Sequence, residues 1–522
     1  MDTQIQQTFE QLKQTISVST SPFHTAKEAM RRLNEAGFVT LDWDSTWELV
    51  PGGKYAVCPF GTTVFGFQIG TDLSDTPVWK LSSSHIDNPG FRIKYNPVVS
   101  SKNGCRLNTE VYGGAIYSTW LDRPLSIAGR IALKNPQSAH PRLKLVDFKR
   151  PVAVLPNLAI HLNRAMNDGV ALNAQTDLLP ICGMDEHMDT DTFLQILANE
   201  TGEKPEDILC FDLSVYHYAE PVRTGFSGDM FMAPRIDNIS SVQACLTGLI
   251  EANPSDGISV AVLFDHEEIG SRSKNGANGN LLSYTLERIC NALNISRENF
   301  LQSLVHSYYL SLDVAHAIHP AHPEKSDITS AMPLNRGFAI KASAKHAYCS
   351  DDDMTGVILQ LAARHHIACQ QNHMRNDYPG GSTVGPMVAA NLPMCSADIG
   401  IPIYAMTLQN EPLLEINYPS CAMTGTQEAK LAKAIKSELA QSTILNDQEK
   451  NIKLWAFDHN FDGADKFMKD FFKEAGNDYN IDGIAFHPYG GNASTMGSFY
   501  DDYKDQLSMN LTERSVWGTS GA

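Results

Sequence analysis

Four apolar runs in this 522-residue chain each stop at an acidic residue or a histidine. Strands that end this way gather polar side chains along one edge of a sheet. Residues 262–273 read VLFDHEEIGSRS, an apolar strand running into Glu267 and Glu268 and then a glycine turn. Residues 82–91, SSSHIDNPGF, offer His85 and Asp87. RIDNISS (235–241) offers Asp237, and YYLSLDVAHAIHP (308–320) offers Asp313. A lone Glu-Glu pair after a strand is by default a solvated loop. Its company changes the reading, because imidazole and carboxylate delivered together to a sheet edge are a zinc-type donor set. The pattern predicts a metallohydrolase.

That chemistry assigns roles. Activating water and stabilising an oxyanion at neutral pH suits two divalent ions about 3.5–4 Å apart, joined by a bridging carboxylate. Asp237, standing before a helical pattern, is the bridging candidate; its competing role is an ordinary N-cap. His85 and Asp313 complete one ion's ligands, and Glu268 belongs to the other. Asp87, two residues from His85, is placed to orient the imidazole. Glu267 is then free to serve as general base.

The bulk properties narrow the class. A net charge of −18 argues against nucleic-acid or anionic-membrane partners, which would repel it. Ten cysteines with no CxxC pair predict reduced thiols rather than a disulfide framework. The start, MDTQIQQTFEQLKQT, lacks the basic and apolar regions of a signal peptide, and no run of about 18 apolar residues predicts a membrane span. A cytoplasmic protein is expected.

Periodicity supplies the organisation. Phe23, Ala26, Met30 and Leu33 fall on one helix face that Gly37 closes. After Asp237, the face Ile239, Val242, Leu246 and Leu249 leads to a strand over 258–264. Alternation of strands and helices continues to Asp398, predicting an α/β fold with a mostly parallel sheet covered by helices. Between residues 95 and 224 glycine turns and alternating strands such as 142–146 predict a β-rich insertion. The expected domains are therefore 1–94 with 225–406, the insertion 95–224, and a third segment 407–522.

HIDNPGFRIK, YGGAIYSTWLDRPLSIAGR, RIDNISS, FDHEEIGS, DVAHAIHP and RNDYPGGSTVGP, in this order, resemble the aspartyl aminopeptidase family over about residues 10–406. The resemblance implies a dinuclear zinc exopeptidase, with Co²⁺ or Mn²⁺ as alternative metals. It implies an inserted β-rich dimerisation domain and a homo-oligomer built from dimers, up to a dodecamer. It implies removal of N-terminal residues, acidic ones included, from peptides. Its ligand positions fall on His85, Asp237, Glu268 and Asp313, with Glu267 as base. Lys345 falls where the family places a lysine that can meet an acidic substrate side chain, and a solvated surface lysine is the alternative. His161 matches a histidine that in this family reaches a neighbouring subunit's site; a packed core histidine is the alternative. The family also expects a histidine ligand after the last strand. Here Asp398 to Met406 run into Thr407, a poor zinc donor beside an imidazole.

From Thr407 the likeness changes. TLQNEPLLEINYPSC, KLWAFDHN, IDGIAFHPYGG and LSMNLTERS resemble, in order, the fourth to seventh strands of the glycoside hydrolase family 30 (β/α)₈ barrel. Ala464, Phe467, Met468, Phe471 and Phe472 predict an outer helix between them. The resemblance implies Glu411 as acid/base and Glu513 as nucleophile of a retaining glycosidase. The segment has only part of a barrel, so a peptidase fused to a barrel fragment is expected. A retaining glycosidase and an inactive oligomerisation scaffold are the alternatives.

Overall fold

The computed structural model describes residues 3–164, 172–226, 230–320, 322–377 and 381–403. Beyond these it describes 426, 428–430, 432–433, 436–437, 454–460, 464–476, 478–487, 494–503 and 506–511. The chain forms two compact units. One holds Met1–Ala159, Ala171–Ala317 and Ser326–Ile403, and the other holds Ile160–Val170, Ile318–Lys325 and Tyr404–Ala522.

The first unit is built on a nine-stranded sheet. Its strand order is Val39–Thr40, Lys54–Val57, Val64–Ile69, Ile258–Phe264, Trp79–His85, Tyr308–Leu312, Cys395–Gly400, Phe338–Ala342 and Cys369–His373. The four strands from Ile258–Phe264 to Cys395–Gly400 are parallel neighbours, as the sequence predicts. Toward the edges antiparallel pairs enter as well, so the sheet is mostly but not wholly parallel, as expected. The reason is local: only six residues separate Lys54–Val57 from Val64–Ile69, too few for a parallel crossover.

Alternation along Ile258–Phe264 shows why this sheet needs two covered faces. Ile258, Val260, Val262 and Phe264 enter one core with Trp79, Tyr309 and Leu286. Ala261 and Leu263 enter the other, against Ile239, Val242, Leu246 and Leu249 of the helix Ile236–Glu251. Phe23, Ala26 and Leu33 are buried on the helix Pro22–Glu35, with Met30 packed at its margin. Both helices present the faces read from their spacing. Each Val, Ile, Leu or Phe among them contributes about 1.5–3 kcal/mol when fully buried.

Register then aligns the strand ends. Phe264 pairs with His85, and Ser311 pairs with Ser83, so Asp313 stands two residues on, level with His85. The same unit carries an antiparallel six-stranded sheet in the order Arg142–Asp147, Leu125–Leu133, Ile208–His217, Gly90–Ser101, Gly104–Tyr112 and Ile181–Gly183. Its core gathers Phe91, Leu107, Trp120, Ile127, Phe193 and Leu213.

In the second unit, Trp455–Asn460, Gly483–His487 and Ser508–Leu511 form a parallel sheet in chain order. The helices Ala464–Ala475 and Ser494–Tyr503 connect them in sequence. Ala464, Phe467, Met468 and Phe471 are buried on the first helix, as their spacing predicts. Phe457 and Phe486 pack with them. Among the described residues, no helix is long and apolar enough to cross a membrane.

Candidate metal centre

The aligned strand ends bring His85, Asp87, Asp237, Glu267, Glu268 and Asp313 together. His85, at the end of its strand, is 2% exposed. Its Nδ1 lies 3.1 Å from the Asp87 carbonyl and 3.4 Å from Asp87 Oδ1. Both neighbours only accept, so in the neutral imidazole, the form that binds a metal, Nδ1 carries the hydrogen and Nε2 presents a lone pair. That lone pair faces Asp237 Oδ1 at 3.2 Å, Asp313 Oδ1 at 3.7 Å and Glu267 Oε2 at 3.8 Å. Asp237 Oδ1 is itself buried and accepts no hydrogen bond. Lone pairs meeting at this distance repel unless a proton or a cation lies between them.

Two donor groups fit a cation. Ligand atoms of His85, Asp237 and Asp313 lie within 4.8 Å of one another, as do those of His85, Glu267 and Glu268. One imidazole with several carboxylates suits zinc and neighbouring divalent metals.

Asp237 does not cap its helix. Arg235 occupies the N-cap position at φ 60°, and Asp237 sits inside the first turn with non-helical φ −77°, ψ 107°. Its carboxylate turns to His85 instead, and the Asn88 amide donates to its carbonyl at 2.5 Å. Glu267 and Glu268 start a single 3₁₀ turn, entered through His266 at φ 64° and left through Gly270 at φ 89°. Asp87, fully buried, reaches further than its predicted role of orienting His85. It accepts the Glu267 N–H at Oδ1 and the Glu268 N–H at Oδ2, both at 3.1 Å.

The electrostatics follow from crowding. Burial disfavours the His85 imidazolium, but Asp237, Asp313 and Asp87 outweigh it and hold His85 well above its ordinary value. Burial pushes the Glu267 carboxyl up to about 7, aided by Asp313 and Asp87, although His85 opposes it. Burial likewise pushes Glu268 up to about 8, aided by Asp237 and Glu267. A bound cation would reverse these shifts.

A cavity of about 580 Å³ opens beside the cluster, lined by Asp237, Asn88, Tyr112, His217, Arg235 and His316 among others. Arg235 Nη2 donates to the Ile16 carbonyl at 3.1 Å. Its Nε and Nη1 are buried without a hydrogen-bond partner among the described residues. The sequence reading missed Arg235, although it stands two residues from Asp237. It also missed Lys341, 3% exposed, whose Nζ donates to the Val314 carbonyl at 3.2 Å beside Asp313. Lys341 lies within the strand Phe338–Ala342, where the neighbouring Ala339 and Ile340 are buried as well. Lys345, the lysine the sequence favours, is exposed in the following turn. His161 is exposed rather than packed in a core. Thr407, Glu411 and Glu513 lie outside the described residues.

Comparison with known proteins bears on the same residues. The family described as aminopeptidase I zinc metalloprotease (M18) matches residues 15–412. "Probable M18 family aminopeptidase 2" of Clostridium acetobutylicum is 40% identical over 391 residues, which are 74% of this chain and 90% of that protein. Among solved structures, Ape4 in its complex with Nbr1 superposes with a TM-score of 0.72 at 28% identity, covering 76% of this chain and 80% of its own. The S. cerevisiae mApe1 dodecamer gives 0.65 at 24% identity over 76% and 90%, a likeness of fold. With its donor cluster inside the matched segment, the chain belongs to the M18 family of zinc metalloproteases and is a metal-dependent aminopeptidase.

Proposed function

We propose that this aminopeptidase removes N-terminal residues, acidic ones preferentially, using two divalent ions held at the sheet edge. His85, Asp237 and Asp313 hold the first ion; Asp237 and Glu268 serve the second, with zinc, Co²⁺ or Mn²⁺ acceptable to these donors. The observation that carries this reading is the His85 Nε2 lone pair facing the unpartnered Asp237 Oδ1 at 3.2 Å. When bound, the metals supply an activated water and charge stabilisation. Glu267, raised by burial to about 7, is suited to take the proton and pass it to the leaving amine. Asp87 orients His85.

The cavity beside Asp237 takes the N-terminal side chain. The unpartnered Nε and Nη1 of Arg235 support an acidic preference, because a buried guanidinium gains most from a carboxylate partner. Lys345, exposed at the surface, serves substrate in a secondary role. Residues 95–224 act as the assembly domain, and His161 completes a neighbouring subunit's site. The dodecamer formed by the yeast relative supports a homo-oligomer. With Thr407 where the family places histidine, the second ion is the weaker one.

The strand–helix–strand order of 455–511 supports a barrel-fragment reading of 407–522 in topology alone. No observation in the described residues favours a glycosidase or an inactive scaffold.

Assays with aminoacyl substrates carrying Asp, Glu or Leu, each also in N-acetylated form, test the proposal. Release from free-amine substrates, highest for Asp or Glu, supports it. Equal cleavage of acetylated substrates, or the highest rate on Leu, contradicts the substrate assignment.

A further inference from the structure

The end of one strand in the six-stranded sheet reaches into the metal centre of the other sheet at two consecutive residues. Tyr112, the last residue of Gly104–Tyr112, pairs with Gly90 in the antiparallel register, and its side chain extends to Asp87. Tyr112 Oη donates to Asp87 Oδ2 at 2.7 Å. The donor is the phenol, since an ionised carboxylate only accepts. Burial and the nearby Asp87 charge keep that phenol protonated. The guanidinium of Arg92 sits 4.5 Å from the Tyr112 ring centroid and steadies the ring.

With this bond, the Asp87 carboxylate receives three donors: the phenol and the N–H groups of Glu267 and Glu268. Three donors at different angles fix the plane of a carboxylate, and through it the backbone turn that aims both glutamates. The next residue acts on the same turn directly. Gly113 has φ 68°, and a Cβ there would lie 2.9 Å from Glu268 Cβ. Only glycine satisfies both the backbone conformation and the approach.

We propose that Tyr112 is a positioning residue for peptide hydrolysis, holding Asp87 so that Glu267 and Glu268 face the metal cluster. The six-stranded sheet thereby sets the geometry of the catalytic turn as well as any role in assembly. The assignment rests on the reading of Glu267 as base and Glu268 as ligand.

Tyr112→Phe removes the hydroxyl and keeps the ring. In the zinc-loaded enzyme, kcat should fall about 10–100-fold, the usual cost of losing a partner that orients metal-site groups. KM should change less than about twofold, with the melting temperature and oligomeric state of the parent. Asp87→Asn should be impaired as well, and adding Tyr112→Phe to it should cost little more, since both changes break one chain of contacts. A kcat for Tyr112→Phe within about twofold of the parent overturns the proposal, as do losses that multiply in the double variant. Should Asp87→Asn fail to fold, Gly113→Ala replaces it as the second variant. Loss of kcat with intact zinc is then expected, and parental kcat overturns the account of the turn. Glu267→Gln is measured alongside: full activity there removes the base assignment, while non-multiplying losses at Tyr112 and Asp87 still establish the positioning role.

Discussion

Both compact units of this chain contain parallel strands joined by helices, yet among the described residues only the first gathers a cluster of metal-ligand side chains at the strand ends. In the first, Ile258–Phe264, Trp79–His85 and Tyr308–Leu312 are flanked by further strands and covered on both faces. Their ends are therefore rigid, and His85, Asp237, Glu267, Glu268 and Asp313 converge with lone pairs opposed. In the second, three strands close on an aromatic cluster of Phe457, Phe467, Phe471, Phe486 and Phe499. The difference lies in what arrives at the strand ends: in the first unit the start of the helix Ile236–Glu251 brings Asp237 and the 3₁₀ turn brings Glu267 and Glu268 to His85 and Asp313.

The comparison breaks most readily at Glu267. Glu267→Gln should lower kcat by about 10²–10⁴ while leaving the metal content unchanged. Wild-type turnover in this variant would mean that the raised carboxyl is structural.

Next in size is the cavity. Arg235→Met should reduce kcat/KM for Asp and Glu substrates by at least about tenfold, the scale of a charge-assisted hydrogen bond, and leave Leu substrates little changed. Equal losses on all three substrates would assign Arg235 to folding instead.

The two units should also differ in stability. Denaturant unfolding should proceed in two steps, with the three-stranded unit lost first, because a small sheet buries proportionally less apolar surface. A single cooperative transition followed by both intrinsic fluorescence and limited proteolysis would show that the units fold as one.

A smaller effect concerns pH in chelated protein. Glu267 and Glu268, raised from 4.5 to about 7 and about 8, bind protons in the folded state that the unfolded chain releases. His85, held above its ordinary value, acts in the same direction. Asp87 and Asp313 lie below their ordinary 3.8 and act only in stronger acid. Burial lowers His24 and holds His217 at about 4, which opposes these groups below about pH 6.5; the folded state therefore binds more protons between about pH 6.5 and 8, and metal-free stability falls as pH rises through that window. Thermal melts should show a falling Tm from about pH 6.5 to 8 that zinc flattens; a metal-free Tm rising over this range contradicts the sign.

Much of this was legible in the sequence. His85, Glu267, Glu268 and Asp313 are found because each follows an apolar run, and sheet register then carries them to one edge. Asp237 was legible as a member of the cluster but not in its backbone setting, since an aspartate before a helix looks like a cap. Tyr112 and Arg235 were hidden for a different reason. Their roles arise across elements far apart in sequence: Tyr112 meets Asp87, and Arg235 meets the Ile16 carbonyl. Lys345 was favoured over Lys341 by its place in a motif, whereas Lys341 is buried within the strand Phe338–Ala342. The antiparallel pairs of the main sheet follow from short connections such as residues 58–63, which leave no room for a parallel crossover.

The most direct test of the central claim is zinc binding measured together with turnover for the parent chain and His85→Ala. The parent should hold at least one zinc per chain tightly. A strong chelator should abolish its turnover, zinc should restore it, and His85→Ala should lose both the tight zinc and the activity. Undiminished turnover in chelator, or an unchanged tight zinc in His85→Ala, would contradict a catalytic metal centre at this sheet edge.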